Sequence, residues 1–163
     1  MARTELDRIV QASLLDRLTD EQLRDPADRA TTREASARAF RISVQRDLEG
    51  LLNTRRTMIR VGPELRQLLR SVHEFGVPDT TGLAIATPEG QKRLTDDISD
   101  AIRRFEPRLT NVKVRLTDSS QVRTPQVRFT IEATLRMDPT PEQIIFDTVL
   151  EVSSGNYDVV DNS

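Results

Sequence analysis

Apolar residues recur at helical spacing in two long stretches of this sequence. The first stretch begins near Thr32, and its apolar stripe consists of Phe40, Val44, Leu48, Leu51 and Leu52. The second follows Thr87, and its stripe consists of Leu94, Ile98, Ala101, Ile102 and Phe105. Spacings of three and four residues keep such side chains on one face, so both stretches predict amphipathic helices. Thr87 is suited to cap the second of them.

A shorter helix is predicted between these two, beginning at Gly62-Pro63. Proline suits the first helical position because the N–H that it lacks would be unpaired there. The buried face of this helix is predicted to consist of Leu65, Leu68, Leu69 and Val72. Gly76 and Pro78 are expected to end it.

After Pro107 the apolar period changes from 3.6 residues to two, which is typical of half-buried strands. Alternation predicts strands over 112–116 and 127–137, and a third over 144–152. The predicted fold is therefore α+β, with N-terminal helices packed on an antiparallel sheet of three, at most four, strands. Such a sheet has two open edges, which a partner can use for strand addition.

Three regions are predicted. Residues 1–32 form a flexible arm with a short helix at Leu14, Leu15 and Leu18, residues 33–155 form one α+β domain, and residues 156–163 form a frayed tail. The three leucines lie on one helical turn. They fit either a docking peptide for a partner or packing of the arm on its own domain.

Composition narrows the function classes. A net charge of −2 supplies no general field for nucleic acid or anionic membrane. The absence of cysteine excludes disulfides, thiolate zinc sites and a cysteine nucleophile. The N-terminus has no apolar signal region and no apolar run approaches the roughly 20 residues that span a bilayer, so a cytoplasmic protein is expected.

The chain lacks the residue sets of common catalytic sites. His73 is its only histidine, which leaves neither a hydrolytic triad with a serine elbow nor an HExxH metal site. No phosphate-binding glycine motif is present. A glycosidase needs two carboxylates, for which Glu106, Asp79 and Glu49 are conceivable, but sugar clefts are aromatic-rich and this chain has no Trp and one Tyr. We expect no enzyme, no metal and no cofactor, with a muramidase as the remote alternative.

The Glu106-Pro107-Arg108 stretch lies where the last helix meets the first strand. Proline fixes an extended backbone, so the side chains of Glu106 and Arg108 project to the same side. This charge pair either forms a bridge within the fold or is presented to a partner.

Five stretches in order resemble a known family. They are SLLDRLTD, VQRDLEGLLNTRR, SVHEFGVPD, IRRFEPRLTNVKV and VRFTIEATL, and the resemblance as a whole runs from about Ser13 to Val152. The sequence is similar to the TssE family of type VI secretion baseplate proteins, related to the phage T4-type baseplate wedge protein once labelled lysozyme-like. The resemblance implies a cytoplasmic bacterial baseplate subunit, docked at the inner membrane complex, without lytic activity and without membrane insertion or a small-molecule substrate.

The resemblance also implies partners. They are the wedge proteins TssF, TssG and TssK and the sheath proteins TssB and TssC, with Glu106, Pro107 and Arg108 matching the family's Glu-Pro-Arg motif for assembly and sheath contact. The family's sheet resembles the strand module of the sheath, which makes the open edges candidates for strand addition. The alternative is a baseplate wedge protein of a phage-like contractile particle. The same features of the chain would serve there, with a different set of partner proteins.

Further roles are hypotheses. Arg55 and Arg56 are expected to donate to an acidic partner surface, with solvated arginines at a helix end as the alternative. The arm leucines are expected to anchor on a wedge partner. Charge reversal at Arg108 is expected to impair sheath assembly and leave melting nearly unchanged; a large loss of stability would show that the Glu106–Arg108 pair is internal.

Overall fold

A computed structural model describes residues 10–11, 13–19, 33–59, 61–80, 87–117, 126–138 and 140–162. Its helices are α1 (Leu14–Thr19), α2 (Arg33–Asn53) and α3 (Pro88–Phe105). Its strands are β1 (Leu109–Thr117), β2 (Gln126–Leu135), β3 (Glu142–Glu151) and β4 (Asn156–Asp161). Within these residues, no helix combines the length and apolar character needed to cross a membrane.

The two long helices follow their apolar stripes. On α2 the inward row includes Val44, Leu48 and Leu52, which are fully buried. On α3, Thr87 caps the N-terminus as expected: its Oγ1 accepts a hydrogen bond of 3.1 Å from Gly90 N. Helix α3 ends at Phe105, directly before Glu106, the residue that Pro107 keeps out of the helical region.

The sheet is an antiparallel meander in the order β1-β2-β3-β4. Helix α3 packs over β1 and helix α2 packs over β4 on one face of the sheet. The central strands supply the middle of the core, where Ile131 opposes Phe146 and both are buried. The predicted α+β fold is confirmed, with four strands.

Strand β4 corrects the predicted frayed tail. Tyr157 and Val159 on this strand are buried in the core, and β4 pairs with β3 from Asn156 to Asp161. Helix α2 also fixes the strand: Asn53 Nδ2 donates to Tyr157 O and Tyr157 N donates to Asn53 Oδ1, both at 2.8 Å. Only two inward apolar residues mark this strand, and polar residues flank it, so its alternation is too short to predict a strand.

The predicted helix from Pro63 is also wrong. The segment forms only two short 3₁₀ turns, Leu68–Arg70 and Val72–Glu74. Leu65, Leu68 and Val72, predicted to be buried, are exposed. A helix this short is marginal unless its apolar face packs on the rest of the protein, and most of this face is exposed.

Burial of Tyr157 makes the stability of the fold depend on pH in the alkaline range. Burial raises the pKa of Tyr157 to about 12, against the opposing charge of Arg55. Because the unfolded chain ionises this hydroxyl near pH 10, the stability that the neutral phenol contributes is complete below pH 10 and is lost as the pH rises toward 12. We expect a loss of about 2–3 kcal/mol over that window.

Tyr157 is the only tyrosine, so tyrosinate absorbance reports this one group. Urea unfolding at a series of alkaline pH values, with Tyr157→Phe as the control, measures the effect. The variant should lose less stability than the wild type over the same window. Equal losses would show that ionisation of Tyr157 is not the cause.

Candidate functional site

The corner between α3 and β1 holds an internal charge pair. Glu106 is only 4% exposed, and its backbone N–H closes the end of α3 by donating to Ile102 O at 2.8 Å. Its Oε1 accepts from Arg108 Nε at 2.6 Å, and its Oε2 accepts from Arg108 Nη2. The two side chains project to the same side, as the sequence indicates, and the bridge forms within the fold.

Arg108 also binds helix α2. Its Nη2 lies 2.7 Å from Asp47 Oδ2, its Nη1 lies 3.4 Å from Ser43 Oγ, and its guanidinium carbon lies 5.9 Å from the centre of the Phe40 ring. The Glu106 carboxylate, followed by Asp47, raises the pKa of Arg108 above its usual value in spite of partial burial. Arg108 therefore joins the corner to α2 as a permanent cation.

Helix α1 is attached to the same face of α2 by polar contacts. Asp16 Oδ2 accepts from Ser43 Oγ at 2.7 Å, and Asp16 Oδ1 accepts from Arg46 Nη2 at 2.7 Å. Ser13 caps the helix, accepting from Asp16 N and donating to the Asp16 carboxylate. Burial alone would raise the pKa of Asp16, but hydrogen bonds from Ser13, Arg46 and Ser43 hold the pKa well below its usual value.

Ser43 connects these two groups of contacts, because it donates to Asp16 and accepts from Arg108. Arg46 and Asp47 provide a second connection, since Arg46 binds both Asp16 and Asp47. We call this set the corner network: Asp16, Ser43, Arg46, Asp47, Glu106 and Arg108. It links the N-terminal helix to the Glu106-Pro107-Arg108 stretch through one face of α2.

The leucines of α1 point away from the domain. Leu14, Leu15 and Leu18 are 70%, 62% and 70% exposed, and Ile42 on α2 is also exposed. Both roles considered for these leucines, docking on a partner and packing of the arm on its own domain, stay predictions. The remainder of the predicted arm, residues 1–9, 12 and 20–32, lies outside the described residues.

Arg55 and Arg56 are bound to other parts of the chain. Arg55 Nη2 donates to Gly155 O at 2.6 Å, in the turn before β4. Arg56 Nη1 lies 3.5 Å from Glu74 Oε2, and Arg104 Nη1 lies 3.4 Å from the same oxygen. Glu74 is buried, so these two arginines balance a carboxylate that would otherwise be costly inside the protein. Both arginines thus make contacts within the fold, and Arg55 is at the same time exposed to solvent. Donation to an acidic partner surface stays a prediction.

A cleft of about 530 Å³ lies between the segment after α2 and helix α3. Its carboxylates are Glu74, Asp79 and Asp97, and burial raises the pKa of Asp97. Glu106, one of the three conceivable acids for glycoside hydrolysis, does not line it and accepts hydrogen bonds from Arg108 on both oxygens. In the described ranges no group of three or more histidine, aspartate or glutamate side chains is placed to hold a metal ion.

Sequence reasoning identified the Glu106–Arg108 pair but missed its partners on α2. Ser43 and Asp47 are four residues apart and lie on one side of the helix, next to the stripe residue Val44. The sequence feature that could have identified them is a serine one helical turn before an acid, next to the apolar stripe. A polar pair of this kind on a helix is ordinarily solvated, and only the folded arrangement places Arg108 against it.

The family comparison agrees with this architecture. The family model for baseplate wedge protein gp25 matches residues 38–140, which is more than half of the chain and includes most of α2, all of α3, β1 and β2. This is the family to which TssE proteins belong, so the resemblance carried by the five motifs is confirmed. No curated protein matches the sequence. The chain belongs to the baseplate wedge protein gp25 family.

Proposed function

We propose that this chain is a structural subunit of a type VI secretion baseplate wedge, that it binds the wedge proteins TssF, TssG and TssK, and that it helps to initiate the contractile sheath of TssB and TssC. It acts in the cytoplasm, in a baseplate docked at the inner membrane complex, and has no enzymatic activity. Membership of the baseplate wedge family supports a structural baseplate role.

The observation that carries the proposal is the leucine row on α1. The helix has six residues, too few to be stable alone in water, yet polar contacts from Asp16 hold it on α2. Its three leucine side chains are largely exposed to water. A helix held in place by polar contacts, with its leucines facing outward, suits docking in an apolar groove of a wedge partner.

The corner network gives the Glu106-Pro107-Arg108 stretch its part in this proposal. Both charged side chains are engaged internally, whereas Pro107 between them is exposed. We therefore assign Glu106 and Arg108 to holding the corner in shape, so that Pro107 and the adjacent edge strand β1 meet the sheath. Arg55 and Arg56 are assigned in the same way to shaping the contact region around Gly155 and Glu74.

The sheet edges are the second contact region. Strands β1 and β4 each have one neighbour in the described sheet. On β4, the backbone groups of Tyr157 and Val159 already bind the side chains of Asn53 and Gln45. We therefore assign strand addition by a sheath protein to the β1 edge, where it would proceed by backbone hydrogen bonding.

Co-expression with TssF and TssG homologues from the same organism tests the proposal. We expect a defined complex on size exclusion, and we expect the triple variant Leu14→Ser, Leu15→Ser, Leu18→Ser to weaken it by at least about tenfold, since each buried leucine contributes about 1.5–3 kcal/mol. Ile145→Ser, an exposed apolar residue on the outer face of the sheet, is the matched control.

Elution of the wild-type chain alone at every concentration would refute the wedge assignment. A peptidoglycan-clearing assay separates the muramidase alternative. We expect no clearing by the wild type; clearing that Glu106→Gln abolishes would establish the enzyme instead. Assembly with the wedge proteins of a phage-like particle, and not with the type VI homologues, would favour that alternative.

A further inference from the structure

The cleft between the segment after α2 and helix α3 combines apolar side chains with carboxylates. Its apolar lining consists of Met58, Ile59, Val61 and Pro78. Met58 and Ile59 are 84% and 72% exposed, so they lie at the mouth of the cleft. The volume of about 530 Å³ lies within the range of about 300–1,000 Å³ of sites that bind small ligands, and it is ample for one inserted side chain.

The backbone next to the cleft is fixed by hydrogen bonds. Arg56 N donates to Val77 O at 2.9 Å, and Val77 N donates to Thr54 O at 3.0 Å. These bonds join the chain that leads to Met58 to the chain that leads to Pro78, and both residues line the cleft. The cleft is therefore formed before any occupant enters, which keeps the cost of ordering on binding low.

The charges that line the cleft do not balance. Three carboxylates contribute to the lining, those of Glu74, Asp79 and Asp97, against the two guanidinium groups of Arg56 and Arg93. The sum of these five charges is −1 at neutral pH. An excess of negative charge in a concave site favours a cationic occupant over an anionic one.

Asp97 is the carboxylate at which a cation gains most. Its ion-pair partner among the described residues is Arg93, whose Nε lies 4.0 Å from Asp97 Oδ2 and whose side chain is 66% exposed. Burial raises the pKa of Asp97 in spite of the attraction of Arg93 and Arg56. Glu74 differs, because Arg56 and Arg104 lie 3.5 and 3.4 Å from its Oε2. The charge of Glu74 is thus compensated within the fold, whereas that of Asp97 is compensated only weakly.

We propose that this cleft binds an arginine side chain of a protein partner, with the aliphatic part of that side chain on Met58 and Ile59 and its guanidinium group on Asp97. An arginine suits both parts of the site, because its stem packs on apolar surface while its charged end stays in a polar environment. A guanidinium group is also more weakly hydrated than an ammonium group and meets a carboxylate with two parallel hydrogen bonds. Arg93, which is largely exposed, moves aside.

The exposure of the mouth indicates a protein as the source of the arginine. Met58 and Ile59 present more apolar surface than one inserted side chain covers, and the surface around an anchoring arginine of a partner would cover the rest. This gives the contact region around Glu74 a chemical partner. The inference holds whichever contractile assembly the chain joins, since the α1 leucines, the corner network and the β1 edge take no part in it.

Titration of the purified full-length chain with N-acetyl-arginine amide, followed by two-dimensional ¹⁵N NMR, tests the site. We expect saturable shifts of the amide signals of Met58, Ile59 and Asp97, with a Kd on the order of 1 mM. The neutral isostere N-acetyl-citrulline amide should bind at least about tenfold more weakly. Absence of saturable shifts at these signals, or equal binding of the two probes, would overturn the inference.

Variants on α3 make the test specific. Asp97→Asn should weaken binding of the arginine probe by at least about tenfold, whereas Asp100→Asn, at a carboxylate that is 68% exposed, should leave it unchanged. Thermal unfolding of Asp97→Asn should occur no lower than that of the wild type, because the change removes a poorly compensated charge. Equal effects of the two variants would contradict a guanidinium site at Asp97.

Arg93→Ala removes the side chain that competes with the probe for Asp97. It should tighten binding of the arginine probe by up to about fivefold, which corresponds to an exposed ion pair. Weaker binding in this variant would contradict the proposed displacement of Arg93.

Inorganic phosphate tests the opposite charge, since Arg56 and Arg93 also line the cleft. We expect phosphate to cause no saturable shift of the same amide signals. Binding of phosphate that is tighter than binding of the arginine probe would replace the cationic occupant with an anion.

Photo-crosslinking in the native host tests the source of the arginine. Benzoylphenylalanine is placed at position 57, where exposed Thr57 lines the cleft, and at position 72 as the control, because Val72 is 89% exposed and does not line it. We expect the crosslink at 57 to map to a protein segment with an arginine whose change to glutamine reduces the crosslink by at least about tenfold, with no such effect at 72. Binding of the arginine probe without an arginine-dependent crosslink would assign the cleft to a small cationic molecule and overturn the protein partner.

Discussion

Replacing Arg108 with glutamate is expected to destabilise the domain by about 3–5 kcal/mol, because it leaves a buried carboxylate without its cation. Glu106 is nearly inaccessible to water, and both of its oxygens accept hydrogen bonds from Arg108. The new carboxylate would also face Asp47 on α2, which now binds Arg108 at 2.7 Å. Urea unfolding followed by circular dichroism measures the loss directly.

Two variants control this experiment. Arg115→Ala removes an exposed arginine that pairs with Glu132 at 3.3 Å across β1 and β2, and should cost no more than about 1 kcal/mol. Arg108→Lys keeps the charge but loses the paired donors that meet both oxygens of Glu106, so its loss should be intermediate. An Arg108→Glu variant as stable as Arg115→Ala would show that the bridge contributes little to folding.

This expectation reverses the one drawn from the sequence, in which charge reversal at Arg108 left melting nearly unchanged. The geometry of the pair is the reason: the bridge is formed inside the chain and shared with α2. A sheath-assembly defect in an Arg108 variant would then follow from a distorted corner. Testing the surface of the corner itself requires a change at exposed Pro107 or on the β1 edge, with the bridge kept intact.

Ending the chain after Gly155 is expected to abolish folding. The truncation removes strand β4, and with it Tyr157 and Val159, whose side chains are buried against the rest of the core. Loss of a buried aromatic residue costs about 3–5 kcal/mol and loss of a buried valine about 1.5–3 kcal/mol. Their sum approaches the whole stability of a typical domain, which is about 5–15 kcal/mol.

The truncation also removes hydrogen bonds to β4, and their loss destabilises the fold further. Gln45 Nε2, which donates to Val159 O at 2.7 Å, and the Asn53 amide would both lose their partners on β4. We expect the truncated chain to be insoluble or to show no cooperative unfolding transition. Tyr157→Ala should lose about 3–5 kcal/mol, whereas Val160→Ala, on the exposed side of the same strand, should lose less than about 1 kcal/mol. A soluble, cooperative truncated protein would support the frayed tail predicted from the sequence.

The sequence by itself determined the elements with long, uninterrupted periodicity. The stripe of α2, the capped stripe of α3 and the alternation of β2 each have one pattern over ten residues or more, and each forms as predicted. Pro107 also predicted where the last helix ends and the first strand begins. Local pattern is sufficient in these cases because the same residues that favour the element also form its buried face.

The tertiary structure alone decided which short apolar patterns are buried. The row from Leu65 to Val72 has clear helical spacing but is exposed, while the weaker pattern of Tyr157 and Val159 completes the core. It also decided that Arg108 binds inward, since Ser43 and Asp47 come from a helix about sixty residues earlier. Burial depends on which surfaces meet in space, and that information is not present in the spacing of any one segment.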